Sequence, residues 1–161
     1  GADWTALGHG LNGHVYALCA FDDGSGPALY AGGNFTGAGQ AAARFVAKWD
    51  GSSWSALGGG MNNTVNALTV FDDGSGPALY AGGTFTVAGN GTAMYVAKWD
   101  GSHWSPVANE LTNGPFNAFT VFDDGSGPAL YAGGAFSMVG GVAASHIAKW
   151  RSEEHTLNSS H

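Results

Sequence analysis

Apolar residues recur along the chain in short runs that are separated by turn residues. In the second of three similar segments, residues 64–71 are mostly β-branched or apolar with no helical period, and residues 72–77 read Asp-Asp-Gly-Ser-Gly-Pro. This pattern predicts a β-strand and a tight turn, because glycine supplies positive φ and aspartate bonds its own backbone. Residues 78–81, 93–99 and 104–107 are predicted to form three further strands, and Asp100-Gly101 is a hairpin signal before the last.

This segment is one copy of a repeat. A thirteen-residue string from Phe to a Gly-Gly pair occurs three times unchanged, at residues 21–33, 71–83 and 122–134. A repeat of about 50 residues that carries four short antiparallel strands is typical of a propeller blade. We therefore predict an all-β fold, a β-propeller fragment of about three four-stranded antiparallel blades.

The repeat also predicts the blade boundaries within residues 1–150. The blades are expected at residues 15–57, 65–107 and 116–150. The third span holds only three predicted strands, and residues 3–7 (Trp4 to Leu7 read as a strand) or sequence outside the chain would complete it. Three blades are too few for a closed ring, which has 4–8. We therefore expect a fragment of a longer ring or two chains that together form six blades.

Two residue types recur at fixed places in each repeat and are predicted to be structural. The tryptophans are Trp4, Trp54 and Trp104 in the fourth strand and Trp49, Trp99 and Trp150 in the third. The glycine pairs that end the second strand are Gly32 and Gly33, Gly82 and Gly83, and Gly133 and Gly134. Matching positions favour core packing over a sugar-stacking role for the tryptophans.

These features resemble kelch-like and galactose-oxidase-like propeller repeats over residues 3–150. Those families place a Gly-Gly pair after the second strand and a Trp in the fourth. The Ala-Lys-Trp text at Trp49, Trp99 and Trp150 departs from the kelch pattern and is most similar to uncharacterised bacterial propeller repeats. The resemblance implies a fold and not a function.

Residues 151–161 interrupt the repeat. They read Arg-Ser-Glu-Glu-His-Thr-Leu-Asn-Ser-Ser-His, where the earlier copies continue with Asp-Gly-Ser-x-Trp-Ser. The run resembles a translated sequencing adapter, so we expect a non-native tail on a chain that is truncated at both ends.

Charge and composition argue against some classes of binding partner. The net charge is −7 with five Lys and Arg residues, which argues against nucleic-acid binding. No run of about 18 apolar residues occurs, so no membrane span is expected. The one cysteine, Cys19, forms no internal disulfide. We expect a secreted or cell-surface protein.

Loop variation predicts where a partner binds. The first-to-second and third-to-fourth connections of each blade (the turn end) hardly change between copies, whereas the second-to-third and inter-blade loops (the loop end) do. Loops on a rigid scaffold commonly carry binding, although drift in unconstrained loops explains the variation equally well. The predicted binding residues are Asn12, His14, Asn34, Asn62, Asn63, Asn90, Glu110 and Asn113.

The sequence offers no catalytic residue, cofactor or metal site. His9 and His14 have no third ligand nearby and no equivalents in the other copies. We therefore predict a non-catalytic binding or scaffolding module that presents its loop end to a protein or glycan. Two alternatives stay open: a glycan-active hydrolase or oxidase whose catalytic residues lie outside this segment, and a structural spacer. Further blades of the same chain, or a second copy, are expected as partners of the fold itself.

Overall fold

The structure is a computed structural model that describes residues 2–107 and 111–151, and these residues form seventeen strands and no helix. The strands of blade 1 are β1 (Val15–Asp22), β2 (Pro27–Gly33), β3 (Gly37–Ala38), β4 (Ala41–Ala42), β5 (Val46–Trp49) and β6 (Trp54–Ala56). Those of blade 2 are β7 (Val65–Asp72), β8 (Pro77–Gly83), β9 (Val87–Ala88), β10 (Gly91–Thr92), β11 (Val96–Trp99) and β12 (Trp104–Pro106). Those of blade 3 are β13 (Phe116–Asp123), β14 (Pro128–Gly134), β15 (Met138–Val139), β16 (Val142–Ala143) and β17 (Ile147–Trp150).

Each blade is an antiparallel sheet with its strands in chain order. Blade 1 has the order β1-β2-β5-β6, blade 2 has β7-β8-β11-β12, and blade 3 has β13-β14-β17. The remaining strands form a small hairpin in each second-to-third loop. The first strand of blade 2 contacts the first strands of both neighbours, so β1, β7 and β13 lie side by side at the centre. The predicted all-β propeller with three blades is confirmed.

The core lies between the blades. Phe21 and Tyr30 of blade 1 pack in one buried cluster with Leu79 and Trp99 of blade 2. A second cluster joins Phe71 and Tyr80 of blade 2 to Leu130 of blade 3, with Trp150 against it. Both faces of blade 2 are therefore covered, which explains why its strands carry apolar residues at successive positions.

In blades 1 and 2, the two glycines of the pair meet different obstacles. A β-carbon at Gly83 would lie 2.0 Å from the carbonyl oxygen of Thr64 in the same blade. A β-carbon at Gly82 would lie 2.6 Å from Cζ of Phe119 in the next blade. The second glycine therefore permits close pairing of the first two strands, and the first permits close packing of neighbouring blades.

Two strand predictions require correction. The third strand of blade 2 begins at Val96 and not at residue 93, because Tyr95 has a φ of 71° and residues 91–92 belong to the small hairpin. The strand predicted at Trp4 to Leu7 is not formed: these residues have no regular secondary structure and no sheet partner, and the Trp4 side chain is fully exposed. Among the other five tryptophans, Trp99 is buried and the rest are half-buried.

Candidate functional site

The contacts between connections place them at two ends, as predicted. At the turn end, a β-carbon at Gly101 in the third-to-fourth turn of blade 2 would lie 2.8 Å from the carbonyl oxygen of Asp23, in the first-to-second turn of blade 1. At the loop end, the inter-blade loop forms a β-bridge to the small hairpin through Leu11 and Ala38, and again through Met61 and Ala88.

The turn end repeats one polar cluster in all three blades. In blade 2, the Lys98 ammonium lies 2.8 Å from the Asp73 carboxylate and donates to the Ser75 hydroxyl at 3.0 Å. Tyr80 donates its hydroxyl to the same carboxylate at 3.3 Å. Lys48 with Asp23, and Lys149 with Asp124, form the corresponding ion pairs. The cluster fastens the third strand to the first turn of its own blade.

The electrostatics of this cluster follow from its hydrogen bonds. Burial opposes ionisation of Asp73, but the bonds from Lys98 and Ser75 outweigh it and lower the pKa of that carboxyl to about 2. Burial raises the pKa of the Tyr80 phenol, and the neighbouring Asp73 charge raises it further. The Asp23, Asp73 and Asp124 carboxylates are therefore already paired with lysines within the chain.

Three of the predicted binding residues, one in each blade, form the same contact within the chain. The Asn62 carboxamide oxygen accepts from the backbone N–H groups of Thr86 and Val87 at 2.8 and 3.0 Å, and its nitrogen donates to the Thr86 hydroxyl at 2.9 Å. Asn12 and Asn113 make the equivalent three bonds in blades 1 and 3. This contact, the Asn clamp, fixes the inter-blade loop to the second-to-third loop.

The Asn clamp had a signal in the sequence that the loop comparison missed. Asn12, Asn62 and Asn113 recur at the repeat spacing, and each is followed 24 residues later by a Thr or Ser. A residue that recurs inside an otherwise variable loop indicates a structural contact. Their amide groups are satisfied within the chain, which favours a positioning role over direct contact with a ligand.

A β-bulge distinguishes one further residue in each blade at the loop end. The register of the first two strands shifts between Val65 and Ala67, and at the equivalent points in the other blades. A bulge re-aims the side chain of the extra residue. The residues concerned are Tyr16, Asn66 and Asn117.

Two of the bulge residues, Asn66 and Asn117, lie together where blades 2 and 3 meet. The Asn66 nitrogen donates to the Phe116 carbonyl at 3.1 Å and to the Asn117 side-chain oxygen at 3.2 Å, both in the next blade. Tyr16 accepts from the Asn34 amide at 3.3 Å. We call the set Tyr16, Asn66 and Asn117, with His14 and Asn34 beside it, the axial rim.

The remaining predicted residues are divided between two places. His14 and Asn34 belong to the axial rim, since the His14 backbone N–H donates to the Asn34 side-chain oxygen at 2.6 Å and the His14 ring lies 6.2 Å from that of Tyr16. Asn63 is exposed beside the Asn clamp, and Asn90 is exposed at the tip of a small hairpin. Glu110 lies outside the described residues. Sequence reasoning missed the bulge residues, although this strand position carries Tyr in blade 1 and Asn in blades 2 and 3.

Neither a metal-ligand cluster nor a membrane-crossing helix occurs in the described part of the chain. Within residues 2–107 and 111–151 no group of three or more His, Cys, Asp or Glu side chains lies close enough together to hold a metal ion. The same residues contain no helix of the length and apolarity needed to cross a membrane.

Comparison with known proteins agrees with the fold. A family model described as the Rax2 C-terminal beta propeller domain matches residues 3–160. No curated protein and no solved structure matches the chain. The match supports the propeller repeat itself, whereas the finer likeness to kelch-like and bacterial repeats stays a prediction. The chain belongs to the family of Rax2 C-terminal beta propeller domains.

Proposed function

We propose that the chain is a non-catalytic binding or scaffolding module that presents its axial rim to a protein or a glycan. A propeller domain supports a binding or scaffolding role in general, because it holds exposed loops on a rigid frame. The finer proposal, that the partner meets the loop end, rests on the residues of that end.

One observation carries the proposal: the loop end combines a repeated frame with side chains that differ beside it. The Asn clamp holds all three inter-blade loops in the same way. Beside the bulge, blade 1 has His14 and Asn34, and the corresponding residues are Thr64 and Thr84 in blade 2 and Pro115 and Ala135 in blade 3. Drift does not require a clamp, whereas a binding surface gains affinity from loops that are ordered before the partner arrives.

The chemistry of the axial rim suits a neutral partner. It carries carboxamides that donate and accept, a phenol, and an imidazole, and it includes no carboxylate. Tyrosine supplies a large contact area with few rotatable bonds, and asparagine supplies adaptable hydrogen bonds. The absence of a carboxylate in this set also leaves it without the acid–base pair that glycoside hydrolysis uses.

A glycan array probed with the whole chain tests this proposal. We expect Tyr16→Ala and Asn117→Ala to lower the retained signal at least about tenfold, the size of one lost binding contact. The matched control is Ser53→Ala, an exposed position at the turn end, which should bind as the unchanged protein does.

The outcome separates the two partner classes. Loss of binding in the control, with binding intact in the axial-rim variants, contradicts the choice of face. A folded chain that retains no glycan contradicts the glycan form of the proposal. The protein form is then tested by cross-linking the same three variants to a partner captured with the unchanged chain, where only the axial-rim variants should lose the cross-link.

A further inference from the structure

The third strand of blade 3 has an uncovered edge among the described residues, whereas a fourth strand covers the same edge in blades 1 and 2. In blades 1 and 2 the third strand pairs with a fourth, through Trp49 opposite Trp54 and Trp99 opposite Trp104. Among the described residues β17 pairs only with β14. Beside it lies an apolar groove of about 580 Å³, lined by side chains that include Val139, Val142 and Ile147. Val142 and Ile147 are each 66% exposed.

In blades 1 and 2, a tryptophan of the fourth strand occupies the position that corresponds to this groove. Trp54 on the fourth strand packs over the small hairpin, where a β-carbon at Gly39 would lie 3.4 Å from its ring. Trp104 covers Gly89 in the same way at 3.5 Å. A β-carbon at the equivalent Gly140 would have nothing within 4 Å. The groove of blade 3 therefore lies where blades 1 and 2 have a fourth strand with its tryptophan.

The chain contains a third segment with the sequence of that strand. Residues 4–8 read Trp-Thr-Ala-Leu-Gly, and residues 54–58 read Trp-Ser-Ala-Leu-Gly. The Leu7 carbonyl accepts from the Trp54 indole at 2.9 Å, as the Leu57 carbonyl accepts from the Trp104 indole at 3.0 Å. Residues 3–7 thus lie where the fourth strand of a blade preceding blade 1 would lie, with the Trp4 ring exposed.

The two outer faces of the three-blade unit are also complementary. The outward face of blade 1 exposes Val15 and Leu18, the latter by 60%. Their equivalents in blade 2, Val65 and Leu68, pack against Gly32 of blade 1. The matching glycine on the outward face of blade 3 is Gly133, where an added β-carbon would come no closer than 3.8 Å to any atom. The outward face of blade 1 could therefore pack on the outward face of blade 3 as blade 2 packs on blade 1.

We propose that two copies of this chain associate head to tail into a closed six-bladed ring, in which residues 3–7 of each copy form the fourth strand of blade 3 of the other. Six lies within the 4–8 blades of closed propellers. Residues 3–7 are anchored to blade 1, on the far side of blade 2 from the groove, so a second copy supplies the strand. Two identical interfaces related by a twofold axis close the assembly.

Native mass spectrometry of the whole chain tests the proposal. We expect a dimer, twice the 16.3 kDa chain mass. Trp4→Ala should raise the dimer dissociation constant at least about 100-fold, because a central tryptophan is lost from the interface. Gly133→Leu should also dissociate the dimer, since its side chain would enter the packed face. Neither change removes a contact within one copy, and Asn90→Ala, at an exposed hairpin tip, should leave the dimer intact.

A peptide provides a second measurement that does not depend on dimer yield. A synthetic peptide of residues 2–8 should bind the Trp4→Ala chain, and the same peptide with alanine in place of tryptophan should not. If the chain is monomeric and the Trp4→Ala chain does not bind the peptide, the proposal is contradicted. A dimer that survives both Trp4→Ala and Gly133→Leu also contradicts it, and so does an open series of larger oligomers. The variants used here, Trp4→Ala and Gly133→Leu, lie outside the axial rim, so the dimer is tested without changing any residue of the proposed function.

Discussion

The turn end and the loop end are held together by different polar contacts. The turn end repeats the same ion pair and the same Asp-Asp-Gly-Ser-Gly-Pro turn in every blade. The loop end repeats the Asn clamp and the bulge, whereas the residues that precede the bulge differ: they are His14, Thr64 and Pro115. The contrast shows that repetition marks contacts that the fold requires, whereas difference within a repeated frame marks positions that are available for recognition.

The largest expected effect comes from the glycine that permits the bulge. Gly83→Ala places a β-carbon 2.0 Å from the Thr64 carbonyl oxygen, so the first two strands must separate. We expect a loss of about 3 kcal/mol or more in the free energy of unfolding, measured by urea denaturation. The control is Gly91→Ala in the same blade and at the same end, where nothing lies within 4 Å. Equal stability of the two variants would show that the bulge does not depend on this glycine.

The Asn clamp should give the next largest effect. Asn62→Ala removes one side-chain donor and leaves the Thr86 and Val87 N–H groups without that acceptor. We expect a loss of about 1–3 kcal/mol in unfolding free energy. Asn90→Ala, which changes an exposed asparagine in the same blade, should cost less than about 0.5 kcal/mol. If Asn90→Ala costs as much as Asn62→Ala, the clamp is not a structural contact.

Acidification should weaken the turn end by a smaller amount. The folded pKa of Asp73 is about 2, below its ordinary value of about 3.9, so its contribution is complete above pH 4. The contribution should disappear as the pH falls from about 4 to 2, because the proton then binds the unfolded chain more readily. Thermal unfolding across this window should show the loss.

Asp73→Asn should flatten this pH dependence, and Asp3→Asn, at an exposed position outside the cluster, should leave it unchanged. A pH profile that is the same for the unchanged protein and for Asp73→Asn would mean that the ion pair contributes nothing to stability.

The blades could be predicted from the sequence because each strand and turn is specified by residues that are close together in the chain. Strand runs, turn residues and the assignment of connections to two ends all follow from short patterns, as at residues 64–77. The late start of β11 did not follow, because the left-handed backbone of Tyr95 is set by its contacts: its N–H donates to the Phe85 carbonyl, and its carbonyl accepts from Gly83. The Trp4 strand is not formed for a related reason: a strand needs a neighbour, and none of the described residues pairs with residues 4–7.

The candidate site was less predictable because it depends on side-chain direction. Grouping residues by loop placed Asn12 and Asn34 together, yet one belongs to the Asn clamp and the other to the axial rim. Only the register shift at the bulge distinguishes Asn66 from its strand neighbours. A one-residue change of register has no signature in the apolar pattern of a strand that is covered on both faces.

A direct comparison of Lys98→Ala with Asn117→Ala by urea denaturation tests whether the turn end maintains the fold while the axial rim is free for recognition. We expect Lys98→Ala to lower the unfolding free energy by roughly 1–2 kcal/mol, since it leaves Asp73 without its cation. We expect Asn117→Ala to stay within about 0.5 kcal/mol of the unchanged protein. If Asn117→Ala is as destabilised as Lys98→Ala, this division of roles between the two ends is wrong.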